Sequence, residues 1–188
     1  MSTERERDLV ELVSPTGEAV GSATVAQAHT VPGSLHRAFS VLLFDAAGRT
    51  LLQRRAATKT RFPLRWANAC CGHPAPGEAV VAAATRRLGD ELGVLPVALA
   101  HAGVHTYEAV DPTSGRIERE FDHVLVGRVS ADVTLSADPA EVAETRWVTG
   151  TTLQRDVTGT AAAEYAPWLR GVLCIALDSA LLRDLPQT

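Results

Sequence analysis

Hydrophobic and polar positions along the N-terminal half of the chain form paired runs typical of strands. The segment at 8–25, DLVELVSPTGEAVGSATV, has two such runs around Pro-Thr-Gly, which predicts two strands joined by a turn. The segment at 38–55, AFSVLLFDAAGRTLLQRR, has two apolar runs around Asp-Ala-Ala-Gly and predicts a hairpin. Between and after these pairs, we expect a loop at 28–38 and an irregular basic segment at 57–71.

A helical period appears at 78–92, where alanine is dense and apolar residues recur at three- and four-residue steps: Val81, Ala84, Leu88 and Leu92. Gly93 follows at the position where a glycine usually ends a helix. A second helix is predicted at the C-terminal end, over 163–185, with Pro167 near its start.

Three further strands are predicted between the two helices, at 99–110, 118–129 and 141–149, and the turn-rich link DPTSGR joins the first two. Strands therefore precede, separate and surround the helices. This order predicts one α/β (α+β) domain over 1–188, with a core of about 8–185 and a mixed central sheet flanked by helices.

Composition and charge narrow the classes of partner. Of the 188 residues, 46% are hydrophobic and 21% are charged, which is typical of a globular protein. The net charge of −4 argues against a nucleic acid or an anionic membrane surface as partner. The N-terminus is charged and has no apolar signal core, and no run reaches the roughly 18 apolar residues of a membrane span. We therefore expect a cytoplasmic protein.

Two adjacent cysteines in WANACCGHPAPGE, at 66–78, raise the question of their chemistry. Cys70, Cys71 and Cys174 are an odd number in a compartment expected to be reducing, so structural disulfides are not expected. Adjacent cysteines rarely bridge each other, because neighbouring side chains point apart. A partial metal knuckle through His73, or a reactive thiol, remains as the interpretation.

The spacing from Gly72 to Gly93 resembles the nudix box, a loop–helix–loop of diphosphate hydrolases whose helix presents several glutamates to magnesium. Here Arg87 and Asp90 stand where that family has glutamates, and only Glu91 is intact. Arg87 and Glu91 share one helix face, which suits one magnesium and one phosphate contact. The alternative is a surface ion pair worth a few tenths of a kcal/mol.

Histidines and glutamates elsewhere in the chain suggest a metal site. The candidate ligands for a divalent transition metal are His29, His36, His73, Glu118 and Glu120. Glu118 and Glu120 are two apart on a predicted strand, so their side chains face one way. Asp122 continues that face, which favours the alternative of a solvated strand face. His101, His105 and His123 show no partner in the pattern.

Taken together, these residues resemble the type I isopentenyl diphosphate isomerases over nearly the whole chain. The resemblance is strongest in LHRAFSVLLFD, QRRAATK, CCGHPAPGE and RRLGDELG, and in Tyr107 with Glu118-x-Glu120. It implies a nudix-like fold and the interconversion of isopentenyl and dimethylallyl diphosphate. The expected partner is a small prenyl diphosphate, without nucleic acid or membrane, and the expected state is a monomer or weak homodimer.

The same resemblance implies a role for each matching residue. Cys71 and Glu120 would move protons on opposite sides of the substrate, with Tyr107 beside Glu120 and Trp168 facing the reacting carbons. The five histidines and glutamates would bind Zn²⁺ or Mn²⁺, and Glu91 would hold the Mg²⁺ that also contacts the diphosphate. Three cationic residues match diphosphate contacts: Arg55, Lys59 and Arg87.

Several positions depart from that family. Val25 stands where a diphosphate-binding lysine is usual, and Arg61 or Arg65 are the nearby basic residues that would compensate. Leu64 replaces a glycine, and Phe121-Asp122-His123 replaces Cys-Pro. Two alternatives therefore stay open: a diverged member using the same Cys/Glu pair on another prenyl or terpenoid substrate, and a nudix hydrolase or non-catalytic binding module.

Overall fold

The computed structural model describes residues 5–95, 97–130 and 132–179. The N-terminal part forms β1 (Leu9–Val13) and β2 (Ala19–Thr24), which pair antiparallel across the predicted Pro-Thr-Gly turn. A short helix that the sequence did not predict, α1 (Val25–Ala28), follows at once. Thr24 and Gln27 form a capping box at its start, which satisfies the first free backbone N–H groups.

The predicted hairpin is confirmed as β3 (His36–Phe44) and β4 (Arg49–Arg55). The segment expected to be irregular contains two three-residue strands, β5 (Trp66–Asn68) and β6 (Cys70–Gly72). Strands this short carry no readable period. They exist because β5 pairs with β4 and β6 pairs with β3, contacts that only the folded chain provides.

The first predicted helix is confirmed as α2 (Val80–Leu92), and Gly93 ends it at φ +67° in the left-handed region that glycine favours. Ala84, Leu88 and Leu92 are buried as expected. Val81 is 43% exposed, so its assignment to the apolar face was wrong; Ala83 lies on that face instead.

The C-terminal half follows the predicted order, with β7 (Leu99–Val110), β8 (Ile117–Arg128) and β9 (Val142–Thr149). An unpredicted helix, α3 (Gly150–Thr158), comes next, with Thr149 capping its first turn. The last helix, α4 (Leu169–Asp178), begins after Pro167 and not at 163, where a short 3₁₀ turn lies instead. The remainder of the predicted helix, 180–185, lies outside the described residues.

One mixed sheet contains all nine strands of the described residues, in the order β2-β1-β3-β4-β5, and three of the other four strands pair with this path while β7 joins it through β8. β3 lies at its centre and pairs antiparallel with β6 and parallel with β8. β7 pairs with β8, and β9 pairs with β4.

Helices cover both faces of the sheet. Phe39, Val41 and Leu43 of β3 pack with α2 on one face, whereas Leu42 and Phe44 pack with α3 and α4 on the other. Successive side chains of a strand point to opposite faces, and helices cover both faces of β3. The strand is therefore apolar along nearly its whole length. Within the described part of the chain, no helix is both long and apolar enough to cross a membrane.

Candidate active site

Three strand registers bring the predicted site residues together at one end of the sheet. The parallel pairing of β3 with β8 places His36 beside Glu120, and the antiparallel pairing of β7 with β8 places Tyr107 across from Glu120. The pairing of β3 with β6 places Cys71 across from Ser40. Residues far apart in sequence thus become neighbours on the face covered by α4.

The five predicted metal ligands form one cluster. Their candidate ligand atoms all lie within 4.8 Å of one another. Val25 and Ser34 accept hydrogen bonds at their carbonyls from Nδ1 of His29 and His36, at 2.7 and 2.8 Å, which leaves both Nε2 atoms facing the cluster. The nearest carboxylate contacts are 2.8 Å from His29 Nε2 to Glu118 and 3.0 Å from His73 Nε2 to Glu120.

The donor set fits a divalent transition metal. His36 Nε2 is buried and has no hydrogen-bond partner, and the nearest carboxylate oxygen, of Glu120, is 3.7 Å away. An unpaired buried ring nitrogen is costly unless another group binds it. Imidazole nitrogens with carboxylate oxygens are a common ligand set for zinc and manganese.

The histidines control the charge of the carboxylates. Burial alone raises the pKa of Glu120, but the neighbouring His36 and the hydrogen bond from His73 outweigh it and hold that pKa well below its usual value. Burial lowers the pKa of His73 to about 4. In the same way, His29 and Arg61 outweigh burial and hold the pKa of Glu118 below its usual value.

Asp122 does not lie on a solvated strand face. It is fully buried, as its neighbours on that face nearly are, because β8 is an inner strand with β3 and β7 on either side. Ser40 donates a 2.8 Å hydrogen bond to its Oδ2. Burial and the charge of Glu120 raise the pKa of Asp122 well above its usual value. The solvated-face interpretation was therefore wrong.

The two adjacent cysteines face opposite sides of β6. Cys70 is fully buried among the residues that pack with α2, whereas Cys71 lines the pocket. The Cys71 thiol donates to Asn68 Oδ1 at 3.2 Å, and its Sγ lies 3.6 Å from Ser40 Oγ. Burial, with the nearby charge of Asp122, raises the pKa of Cys71 to about 12. The thiol therefore carries its proton at neutral pH.

Tyr107 and Trp168 form the aromatic part of a cavity of about 610 Å³. Tyr107 donates its hydroxyl to Glu120 Oε2 at 2.7 Å, and burial raises its pKa well above the usual value. The rings of Tyr107 and Trp168 lie 5.9 Å apart, and Phe62 packs edge-on against Trp168 at 5.5 Å. The arrangement places the Trp168 indole next to Tyr107, whose hydroxyl contacts Glu120.

The three predicted diphosphate contacts also line this cavity. Arg55 donates to the backbone carbonyls of Arg61 and Phe62, so its guanidinium is held in place. Lys59 pairs with Glu141, and Arg87 pairs with Glu91. Nine of the twelve predicted site residues line the cavity. The other three are fully or nearly fully buried: His29, His36 and Glu91.

The Arg87–Glu91 pair is buried, so the interpretation as a surface ion pair was wrong. Burial raises the pKa of Glu91, and Lys59 and Gln53 add contacts to its carboxylate. Val25, which replaces the lysine expected from the resemblance, is an apolar part of the cavity wall.

Of the two arginines considered as substitutes for that lysine, only Arg61 lines this cavity; Arg65 lines a separate one of about 280 Å³. Arg61 binds Glu118 at 3.1 Å and Glu6 at 2.8 Å.

Sequence reasoning missed several residues of the site. Asn68 contacts both Cys71 and Trp168, and it lies inside the segment WANACCGHPAPGE, which was the available signal. His105 stacks on Tyr107 at 5.3 Å, and His101 lies 2.9 Å from His123, although no partner was visible for any of the three. Glu141, which pairs with Lys59, follows an irregular segment, and no sequence pattern there indicated that it belongs to the site.

Comparison with known proteins gives two kinds of similarity. The NUDIX domain profile matches residues 34–170. The chain is 59% identical over 167 residues to the isopentenyl-diphosphate Delta-isomerase of Nocardia farcinica, covering 89% of this chain and 93% of that protein. It is 48% identical over 184 residues to the protein of the same name from Streptomyces coelicolor, covering 97% and 89%.

Solved structures agree in fold. A crystal structure of DR0079 from Deinococcus radiodurans matches with a TM-score of 0.69 at 22% identity, covering 89% of this chain and 98% of that one. The MutT protein from Methanosarcina mazei matches with a TM-score of 0.58 at 20% identity, covering 77% and 94%. At these identities the likeness concerns the fold alone.

Proposed function

The chain belongs to the NUDIX domain family and, within it, to the isopentenyl-diphosphate Delta-isomerases, and from this premise we propose how its residues act. It is an isomerase that interconverts isopentenyl and dimethylallyl diphosphate in isoprenoid synthesis. One observation supports the residue assignment above all: a partly buried thiol whose pKa is raised and a buried carboxylate whose pKa is lowered line the same cavity.

The reaction moves a double bond by one carbon through a tertiary carbocation-like state. It requires one group that delivers a proton to the alkene and a second group that removes a different proton. The protonation states in this site support Cys71 as the donor and Glu120 as the acceptor in one direction. The reverse reaction uses the same two groups with their roles exchanged.

Two aromatic residues assist these proton transfers. Tyr107 holds Glu120 Oε2 through its hydroxyl, which fixes where that carboxylate points. Trp168 presents an indole to the cavity, and an indole face stabilises a passing cation by about 0.5–2 kcal/mol. Trp168, supported edge-on by Phe62, also covers part of the cavity wall and so reduces the access of water, which would trap the cation as an alcohol.

The histidine–glutamate cluster holds a divalent ion, for which we propose zinc or manganese. His29, His36, His73, Glu118 and Glu120 are its ligands in this proposal, supported by their mutual distances and the unpaired His36 Nε2. Such an ion supplies positive charge that lowers the proton affinity of Glu120. The carbonyls of Val25 and Ser34 accept hydrogen bonds from Nδ1 of His29 and His36, and these bonds orient the two imidazoles.

The cationic end of the cavity binds the diphosphate. Arg55 is already held by backbone carbonyls, so its remaining donors face the cavity at little further entropic cost. Lys59 and Arg87 exchange their carboxylate partners for phosphate oxygens, and charge-assisted bonds of this kind are the strong ones. The carboxylate of Glu91, released in that exchange, would be a hard oxygen ligand suited to an Mg²⁺ that accompanies the diphosphate.

The partner in this proposal is a small prenyl diphosphate, and the protein acts in the cytoplasm as a monomer or weak homodimer without nucleic acid or membrane. The net charge of −4 argues against nucleic acid as a partner. Light scattering after size-exclusion chromatography measures the oligomeric state.

The test of function is an isomerisation assay in D₂O. Folded protein loaded with Mn²⁺ and Mg²⁺ is incubated with isopentenyl diphosphate, and NMR follows dimethylallyl diphosphate and deuterium on its carbons. We expect conversion with deuterium uptake, because the proton donor exchanges with solvent. No conversion would overturn the function, and release of phosphate or pyrophosphate would favour a hydrolase. Faster turnover of a longer prenyl compound would favour the diverged-substrate alternative.

A further inference from the structure

Asn68 lies behind the pocket wall at the junction of the thiol and the indole. It is fully buried on β5, next to the short segment that leads into β6. Its Oδ1 accepts two hydrogen bonds, from the Cys71 thiol at 3.2 Å and from Trp168 Nε1 at 3.1 Å. One oxygen atom therefore touches two side chains that are 97 positions apart in the chain.

The orientation of this amide is determined by its other half. Asn68 Nδ2 donates to the carbonyl of Val41 at 3.2 Å and to the carbonyl of Cys70 at 2.8 Å. In the flipped amide, NH₂ would face an indole N–H and a thiol, and the oxygen would face two carbonyl oxygens. All four hydrogen bonds are made in only one orientation, which the indole N–H and the two carbonyls select because each has a fixed polarity.

We propose that Asn68 is a positioning residue for the isomerisation, whose amide oxygen holds the Cys71 thiol and the Trp168 indole in a fixed relation across the reacting carbons. This inference rests on the proposed function, because it assigns Asn68 a task in that reaction. Asn68 does not line the cavity and therefore acts through its two neighbours.

The relation between the two groups matters because they serve one transition state. The proton donor must reach one carbon while the indole faces the carbon that becomes cationic. A misplacement of about 1 Å can cost on the order of 100-fold in rate. Cys71 sits on a three-residue strand and Trp168 immediately precedes α4, so these elements reach the pocket from different parts of the fold. The shared acceptor ties them together directly.

Two variants separate positioning from a structural role. Asn68→Ala removes the acceptor and both donors. Asn68→Asp keeps an acceptor of nearly the same shape, and burial keeps its carboxyl protonated, so it also donates to one carbonyl. We expect Asn68→Ala to lower kcat about 100-fold with KM within about threefold of wild type. We expect Asn68→Asp to retain roughly tenfold more kcat than Asn68→Ala, because the shared acceptor remains.

NMR provides a readout of the geometry that does not depend on activity. Asn68 is the only asparagine in the chain, so labelled asparagine gives a single side-chain amide signal. The Trp168→Phe and Cys71→Ala variants should each shift that signal, because each removes one donor to Oδ1. The indole signal of Trp168, identified from Trp168→Phe, should move in Asn68→Ala and stay near its wild-type position in Asn68→Asp.

The outcomes are distinct. Equal kcat losses in Asn68→Ala and Asn68→Asp, or wild-type kcat in Asn68→Ala, would overturn the positioning role. If neither variant folds, the test is made on the wild-type protein. We expect a scalar coupling across the hydrogen bond between the Trp168 indole nitrogen and Asn68 Cγ. The lack of this coupling would overturn the inference. If the wild-type protein shows this coupling but does not isomerise the substrate, the proposed function is wrong and the inferred hydrogen-bond geometry is correct.

Discussion

The two neighbouring cysteines show how one residue step changes chemistry. Side chains of a strand alternate between faces, so Cys70 packs under α2 while Cys71 faces the pocket with Asn68 and Ser40. The thiol is surrounded by buried acidic groups and keeps its proton. Such an environment favours a proton donor and disfavours a nucleophilic thiolate.

This difference predicts opposite effects for two matched substitutions. Cys71→Ala should lower kcat for isomerisation by about 10²–10⁴-fold, the usual contribution of a positioned acid or base. Cys70→Ala should keep most of the activity, because its side chain contacts the α2 core and not the cavity. Initial rates by NMR measure both. Substantial activity in Cys71→Ala would remove the thiol from the mechanism.

At the scale of elements, α4 and β7 meet through a glycine. A Cβ added at Gly171 of α4 would lie 2.2 Å from the His105 ring of β7, and that ring stacks on Tyr107 at an interplanar angle of 10°. The close approach of helix and strand therefore sets the place of the histidine. Through the stack it also supports the tyrosine that holds Glu120.

Gly171→Ala is therefore expected to destabilise the protein, although alanine is the better helix former. Overpacking costs about 1–3 kcal/mol and exceeds the gain of about 1 kcal/mol in helix propensity. The displaced His105 also lowers kcat by disturbing Tyr107. Urea unfolding and initial rates measure the two effects. Gly150→Ala in α3 is the control, since nothing lies within 4 Å of its added Cβ, and a similar loss there would contradict the explanation.

The β7–β8 pair also predicts a dependence of stability on pH. Burial, with the nearby His101 and Arg37, lowers the pKa of His123 to about 4 from an ordinary value near 6.5. The unfolded chain therefore binds this proton more readily than the folded protein does. The contribution is fully favourable above about pH 6.5 and is lost as the pH falls toward 4.

His123→Gln removes this contribution. Between pH 7 and pH 5 the Tm of the variant should fall less than the Tm of wild type, measured by calorimetry in matched buffers. The remaining fall in both proteins reflects other groups, including His73, whose pKa is also lowered to about 4 by burial. Identical losses of Tm in the two proteins would contradict the assignment.

At the scale of the whole molecule, the histidine–glutamate cluster joins distant parts of the chain. His29 caps the end of α1, His36 begins β3, His73 follows β6, and Glu118 and Glu120 lie on β8. An ion bound there links four segments that are also held by the sheet. Binding to the folded state alone must then stabilise the whole domain.

We expect Mn²⁺ at about 100 times its Kd to stabilise metal-stripped protein by about 2.7 kcal/mol, which raises Tm by roughly 5–10 °C. His36→Gln should abolish most of that rise, since it removes the unpaired Nε2. His101→Gln is the control, because His101 lies outside the cluster. Calorimetry with and without the ion measures the shift, and an equal rise in all three proteins would place the ion elsewhere.

Much of this protein follows from the chain alone. Local patterns predict β1, β2, β3, β4, α2, β7, β8 and β9: runs of strand-forming residues between turn signals mark the strands, and the helical period of the buried face marks α2. Side-chain chemistry likewise identifies the candidate ligands and the thiol, since few residue types bind a transition metal or carry a proton at this spacing. Gly93 marks the end of α2 for a steric reason that needs no tertiary contact.

Only the tertiary structure decided how these groups act. Strand register is set by pairing between distant segments, so the approach of His36, Tyr107 and Glu120 has no local signal. Burial of Asp122, of the Arg87–Glu91 pair and of Asn68 depends on what packs against them. Because burial and neighbouring charge set the pKa values, the proton on Cys71 and the charge on Glu120 are properties of the fold and not of the sequence motif.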